Sequence, residues 1–180
     1  RYFAQRQLSV TPLVLDSALK AAEALFAGRC QAYTSDSAQL AGARVLAPAG
    51  RQAYRLLPEL ISSEPLAPAV WGGDQPWATM VRWVLFALIH AEELGITRAL
   101  ANEPPPDFVT SLLSWDQEEA NALSKAMGVP PGWAQRAVAT VGNYGELFER
   151  NLGAASELGL ERGLNRSWKD GGLMYAPPYR

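Results

Sequence analysis

The clearest pattern in the chain is a helix face. Trp77, Met80, Val81, Val84, Leu85, Leu88 and Ile89 recur at alternating steps of three and one, the spacing that lines up apolar side chains along an α-helix. Asp74 precedes the run as a cap and Gly95 follows it as a stop. A second apolar line, Trp83, Phe86, Ala87, His90 and Leu94, lies on a neighbouring face. A helix apolar on two sides is expected to be buried on two sides. Earlier in the chain, residues 1–7 read as the tail of a helix. Leu15, Leu19, Ala22, Leu25 and Phe26 predict another, opened by Asp16 and ended by Gly28, and Asp36 opens a third through Leu40, Ala43 and Arg44.

Between these helices the pattern shortens. Residues 8–15 (LSVTPLVL) are apolar with β-branched Val10, Thr11 and Val14, which predicts a strand with Pro12 at an irregular point or an edge. Residues 30–34 (CQAYT) predict a short buried strand, and residues 54–61 and 66–70 predict two more. Strand, helix, strand, helix over the first fifty residues is α/β logic, a mostly parallel sheet covered by helices. After Gly95 the character changes. Pro104, Pro105 and Pro106 form a stiff spacer, helical segments follow at about 108–114, 116–127, 132–141 and 144–151, and a Gly- and Pro-punctuated aromatic tail closes the chain.

Composition narrows the function classes. Of 180 residues 48% are hydrophobic and 19% charged, enough to bury a core. The net charge is −2 with no Lys/Arg cluster, which argues against a nucleic-acid partner. No apolar run approaches the ~18 residues of a membrane helix, so no direct membrane insertion is expected. The chain opens Arg1-Tyr2-Phe3 without an initiator Met and reads as N-terminally truncated.

Candidate chemistry is sparse. His90 is the one histidine and Cys30 the one cysteine, so no metal site is expected. Mid-helix beside Trp83 and Phe86, His90 reads as a structural residue. Gly72-Gly73 and Gly171-Gly172 lack phosphate-binding spacing, and no cofactor is expected. Glu92-Glu93, and Asp116 with Glu118-Glu119, read as solvated charges rather than an acid/base pair, so no catalytic residue is named. Asn143-Tyr144-Gly145-Glu146 reads as a helix start capped by Asn143. Asp36 stands out, because it sits where a buried strand meets a helix. Ligands bind outside the carboxyl ends of strands in open α/β sheets, and a carboxylate there suits a cationic group. Position alone favours a plain N-cap. Thr34 and Ser35 beside it add hydroxyls, with the same two readings.

Several phrases then combine. Residues 28–36 (GRCQAYTSD) resemble the "GRCDAYTTD" of the general L-amino-acid-binding proteins of polar amino-acid ABC transporters, the solute-binding protein family 3. Residues 57–70 (LPELISSEPLAPAV) resemble that family's "LPEIISKEPLGPAV", and residues 91–97 (AEELGIT) match its "AEELGIT". Gly73-Asp74-Gln75-Pro76-Trp77 with Val81-Arg82-Trp83, the Val141–Glu146 phrase, Arg162-Gly163-Leu164-Asn165 and the terminal Gly171–Pro178 phrase are similar in the same order. Gln31, Ser35 and Pro76 depart from the pattern.

The resemblance implies a type II periplasmic binding protein fold, α/β and partial here. Residues 1–60 would be the C-terminal part of lobe 2, 61–103 the return to lobe 1 with the long helix, and 104–180 a helical extension. It implies the substrate-binding component of an amino-acid importer in the periplasm, which captures an L-amino acid in an interlobe cleft and delivers it to a membrane permease, without enzymatic chemistry. In that family an Asp in the matching phrase holds the ligand's α-ammonium. Carried over, the residue is Asp36, with Thr34 and Ser35 as ligand-binding neighbours. A partial cleft is expected to bind weakly and to leave apolar faces exposed. The rivals are a dehydratase on the same fold acting on an amino-acid-like substrate, and a sensor or docking domain.

Overall fold

The computed structural model of the protein describes residues 2–103 and 117–178, whose regular structure is helical apart from one isolated β-bridge. The helices are α1 (Tyr2–Gln5), α2 (Ala18–Phe26), α3 (Ser37–Val45), α4 (Gln75–Glu93), α5 (Arg98–Asn102), α6 (Gln117–Met127), α7 (Trp133–Val141) and α8 (Tyr144–Asn151), with three 3₁₀ turns at Arg51–Ala53, Gly163–Asn165 and Trp168–Asp170. The expected Pro104–Pro106 spacer, the helix at 108–114 and Asp116 lie outside the described residues.

The chain divides into two compact units. One comprises Arg1–Leu66 with Glu157–Leu160, the other Ala67–Ser156 with Glu161–Arg180.

In the first unit, α2 is capped by Ser17, whose hydroxyl accepts from the Lys20 amide at 3.2 Å. Asp16, expected as the cap, instead pairs with Lys20 Nζ at 2.8 Å on the surface. Gly28 ends the helix at φ 70° as expected. The buried residues here are small, Ala22, Ala24, Ala41 and Ala47, and Phe26 packs edge-on against Tyr54 with ring centroids 5.1 Å apart. Arg44 and Arg51 hold the returning segment, donating to the carbonyls of Leu158 at 3.3 Å and Glu157 at 3.2 Å.

The four segments expected as strands carry no strand ladder among the described residues, where the sole β-pairing is an isolated bridge between Ser167 and Met174. The physical reason is partnership. A strand exists only when a neighbour about 4.8 Å away takes its N–H and C=O groups, and among the described residues no ladder bonds are made by residues 8–15, 30–34, 54–61 or 66–70. Residues 8–14 are exposed instead.

The second unit is built on α4. Asp74 caps it by accepting from the Trp77 amide at 3.0 Å, Pro76 occupies its first turn, and Gly95 at φ 71° turns the chain away. Both predicted apolar lines find partners. Leu88 and Ala91 pack with Ile96, Ala101 and Val138, joining α4 to α5 and α7. Ala87 packs with Met127, Trp133 and Ala134, with Trp83 and Val84 at the margin, joining α4 to α6 and α7. Asn143 caps α8 in a reciprocal box with Glu146, each side chain accepting from the other residue's amide at 2.9 Å. It also donates to the carbonyl of Ile96 at 2.9 Å, tying the start of α8 to the end of α4.

Candidate functional site

Asp36, Ser35 and Thr34 stand together at the start of α3, all three exposed. The chain there leaves irregular backbone and enters the helix: Asp36 has φ −58° and ψ 142°, and its carbonyl accepts the first helical bond from Leu40 at 2.9 Å. Its carboxylate makes no capping hydrogen bond, so the capping role that position favours is not realised. Ser35 donates its hydroxyl to the side-chain carbonyl of Gln39, one turn into α3. This stitches the first turn together beside the uncapped carboxylate. The positive end of the helix dipole supports an anion at this place. The arrangement offers one carboxylate and the Thr34 hydroxyl to solvent. Chemically it suits an ammonium group, which a carboxylate accepts from in a charge-assisted hydrogen bond.

A second polar cluster lies in the other unit, on residues read from the sequence as solvated charges. Glu92 and Glu93, at the end of α4, keep only 14% and 10% of their side-chain surface exposed. Glu92 accepts both arms of the Arg162 guanidinium, Nη1 on Oε1 and Nη2 on Oε2, the latter at 3.1 Å. Arg162 also lies over the rings of Tyr144 and Phe148, 5.5 and 5.6 Å from their centroids. Burial pushes the Tyr144 phenol above its ordinary pKa, against the pull of Arg162 and with the push of Glu92. Glu93 accepts from His90 Nδ1 at 3.3 Å and from the Ala176 amide at 2.8 Å, while its own carbonyl takes Lys169 Nζ at 2.8 Å.

Two carboxylates at a helix C-terminus oppose the helix dipole, and Arg162 and Lys169 supply the compensating charge. Every carboxylate oxygen of the pair has a protein partner, so the cluster fastens the tail to α4 and presents no free acid or base. Gly145 permits the fastening, because a Cβ there would meet Glu92 Oε1 at 2.9 Å and Arg162 Nη1 at 3.0 Å. No local signal marks the Glu92–Arg162 pair, whose members are 70 residues apart. His90, buried and bonded to Glu93, is structural as read. Among the described residues no group of His, Cys, Asp and Glu is placed to hold a metal, and no helix is long and apolar enough to cross a membrane.

No family model matches the chain. It is 42% identical over 183 residues to the general L-amino acid-binding periplasmic protein of Rhizobium johnstonii, covering 99% of this chain and 52% of that protein. It is 40% identical over 184 residues to the glutamate/glutamine/aspartate/asparagine-binding protein of Rhodobacter capsulatus, covering 99% of this chain and 53% of that one. Among solved structures it matches an ABC transporter periplasmic binding protein from Brucella ovis with glutathione bound, with a TM-score of 0.81, 41% identity, and coverage of 99% of this chain and 56% of that one. The chain thus spans about half the length of the curated relatives it matches. It shares the fold of part of a periplasmic binding protein. The α/β, type II reading therefore stands, in a chain whose described residues supply the helices and no ladder.

Proposed function

We propose that this chain belongs to the family of amino-acid-binding periplasmic proteins of ABC transporters, which it resembles at 40–42% identity, and is part of a substrate-binding protein that captures an L-amino acid and hands it to a membrane permease. The protein binds and releases its ligand unchanged and performs no chemistry. In this reading residues 1–60 are the end of one lobe, 61–103 return to the other, and 104–180 are its helical extension.

One observation carries the reading. The exposed Asp36 carboxylate, free of a capping bond, sits in the phrase whose resemblance assigns the α-ammonium ligand. Asp36 receives the ammonium, and Thr34 and Ser35 add hydroxyl contacts. The relatives' names supply the ligand class: general L-amino acids in one, glutamate, glutamine, aspartate and asparagine in another. Glutathione, bound in the structural relative, carries the same α-ammonium and α-carboxylate at its γ-glutamyl end. A γ-glutamyl peptide is therefore the second ligand to test.

The test is a thermal-shift panel of L-amino acids and glutathione, on this chain and on one extended to the relatives' full length, with Asp36→Ala in both. A ligand at about 100 times its Kd adds roughly 2.7 kcal/mol, on the order of 5–10 °C in Tm at this size. A shift lost in Asp36→Ala, with the unliganded Tm unchanged, supports capture through Asp36. No shift with any ligand in the extended chain overturns the reading, and an undiminished shift in Asp36→Ala overturns the assignment of the residue.

A further inference from the structure

A short stretch of the C-terminal region belongs to the first unit. The chain enters that unit at Glu157 and leaves it after Leu160. Two guanidinium groups receive it there. Arg51 Nη1 donates to the Glu157 carbonyl at 3.2 Å, and Arg44 Nη2 to the Leu158 carbonyl at 3.3 Å. Gly159 follows at φ 57°, in the left-handed region, and Leu158 and Leu160 on either side of it are half-buried. The segment is a strap, gripped by its backbone carbonyls.

Arg44 lies in the last turn of α3 and Asp36 caps its start, about 12 Å apart along a helix axis that rises about 1.5 Å per residue. So short a helix moves as one body, and what fixes its C-terminal end fixes the direction of its N-terminal end. Among the described residues the buried apolar side chains of the first unit are alanines, and α3 contributes Ala41. Small side chains bury little area. The charge-assisted hydrogen bonds of the two arginines therefore carry a large share of the fastening.

We propose that the Glu157–Leu160 strap, gripped by Arg44 and Arg51, positions α3 and so aims the Asp36 carboxylate at its ligand. The two arginines are positioning residues, acting on the ligand through Asp36. The proposal rests on the reading of Asp36 as the ammonium partner and names what holds that residue in place. A helix that samples several directions presents its carboxylate correctly only part of the time, and the apparent affinity falls by that fraction.

The strap is best broken at Gly159. Its left-handed backbone strains a β-branched residue and tolerates asparagine, and a Cβ there would stand 3.6 Å from Arg51 Nη2, an ordinary contact. Hydrogen exchange on this chain is expected to be faster in the α3 amides of Gly159→Val and of Arg44→Gln, unchanged in Gly159→Asn, and unchanged in the α7 amides of all three. Titration of the extended chain with L-glutamate should show Kd raised about tenfold in Gly159→Val and in Arg44→Gln, roughly the worth of one hydrogen bond to a charged group. Gly159→Asn should keep the original Kd, and the double variant Arg44→Gln/Gly159→Val should be no worse than either single one. Additive losses would mean that Arg44 and the strap act separately, which overturns the proposal. So does unchanged α3 exchange in Gly159→Val, or faster exchange with an unchanged Kd. If the unaltered extended chain binds no amino acid, the reading of Asp36 falls, and the exchange measurement by itself decides whether the strap holds α3.

Discussion

The two compact units bury different things. The first buries alanines, Ala22, Ala24, Ala41 and Ala47, while Leu8, Val10, Val14, Leu46, Leu57 and Leu66 are more than half exposed. The second buries Leu88, Ile89, Ile96, Met127, Trp133, Val138 and Phe148 and adds the fastened Glu92–Arg162 pair. Both are rich in apolar residues. They differ in where the partners come from. The apolar stripes of α4, α5, α7 and α8 find one another within about seventy residues of chain. The apolar segments of the first unit have strand composition, and a strand buries its faces only when paired.

Core truncation is the sharpest way to break this contrast. Ile96 is fully buried, and Ile96→Ala is expected to cost roughly 3 kcal/mol, lowering Tm by on the order of 10 °C. Leu46→Ala in the first unit, at an 80% exposed site, should stay within about 0.5 kcal/mol. Denaturant titration of both variants measures the difference, and equal losses would mean that the first unit has a core of its own.

The α8 cap is expected to matter next. Asn143→Ala removes the bond to the Glu146 amide and the buried bond to the Ile96 carbonyl, at a cost of about 1–2 kcal/mol. Hydrogen exchange should show faster amide exchange in α8 and in the Ile96 turn, with the α2 and α3 amides unaffected. Faster exchange in α2 and α3 as well would show that the units do not respond separately.

The smallest effect concerns pH. Burial pushes the His90 pKa below its ordinary value of 6.5, against the hydrogen bond and charge of Glu93, and Lys169 adds to the lowering. A histidine depressed in the folded state takes up its proton more readily when unfolded. Its contribution is therefore fully present above 6.5 and is lost as pH falls below that value toward the folded pKa. The second unit should lose stability on acidification through this range. His90→Asn, whose amide can still donate to Glu93, should flatten the dependence. An unchanged slope in the variant would move the titration to another group.

The helices were legible because their signals are local. Asp74, Gly95, Gly28 and Asn143 mark boundaries within a residue or two of where α4, α2 and α8 begin or end, since caps and stops act over one turn. One local reading failed where two neighbours competed. Ser17, not Asp16, caps α2, and Asp16 turned to Lys20. The strands were legible as composition and absent as ladders, because their hydrogen bonds belong to a second segment that pattern alone does not name. The candidate site was legible as a position, Asp36 at a junction, but not as a free carboxylate.

By itself the sequence determined the helical stripes, their punctuation and the order of phrases that carries the family resemblance, all properties read over a few residues at a time. The tertiary structure decided which charges are structural. Glu92 and Glu93 look like solvent-facing neighbours along α4, and only folding brings Arg162, Lys169 and the Ala176 amide onto them. Asp36 looks like a cap, and only the helix geometry leaves its carboxylate unengaged. A charge acquires its role from what desolvates and pairs it, and those partners lie far away in the chain.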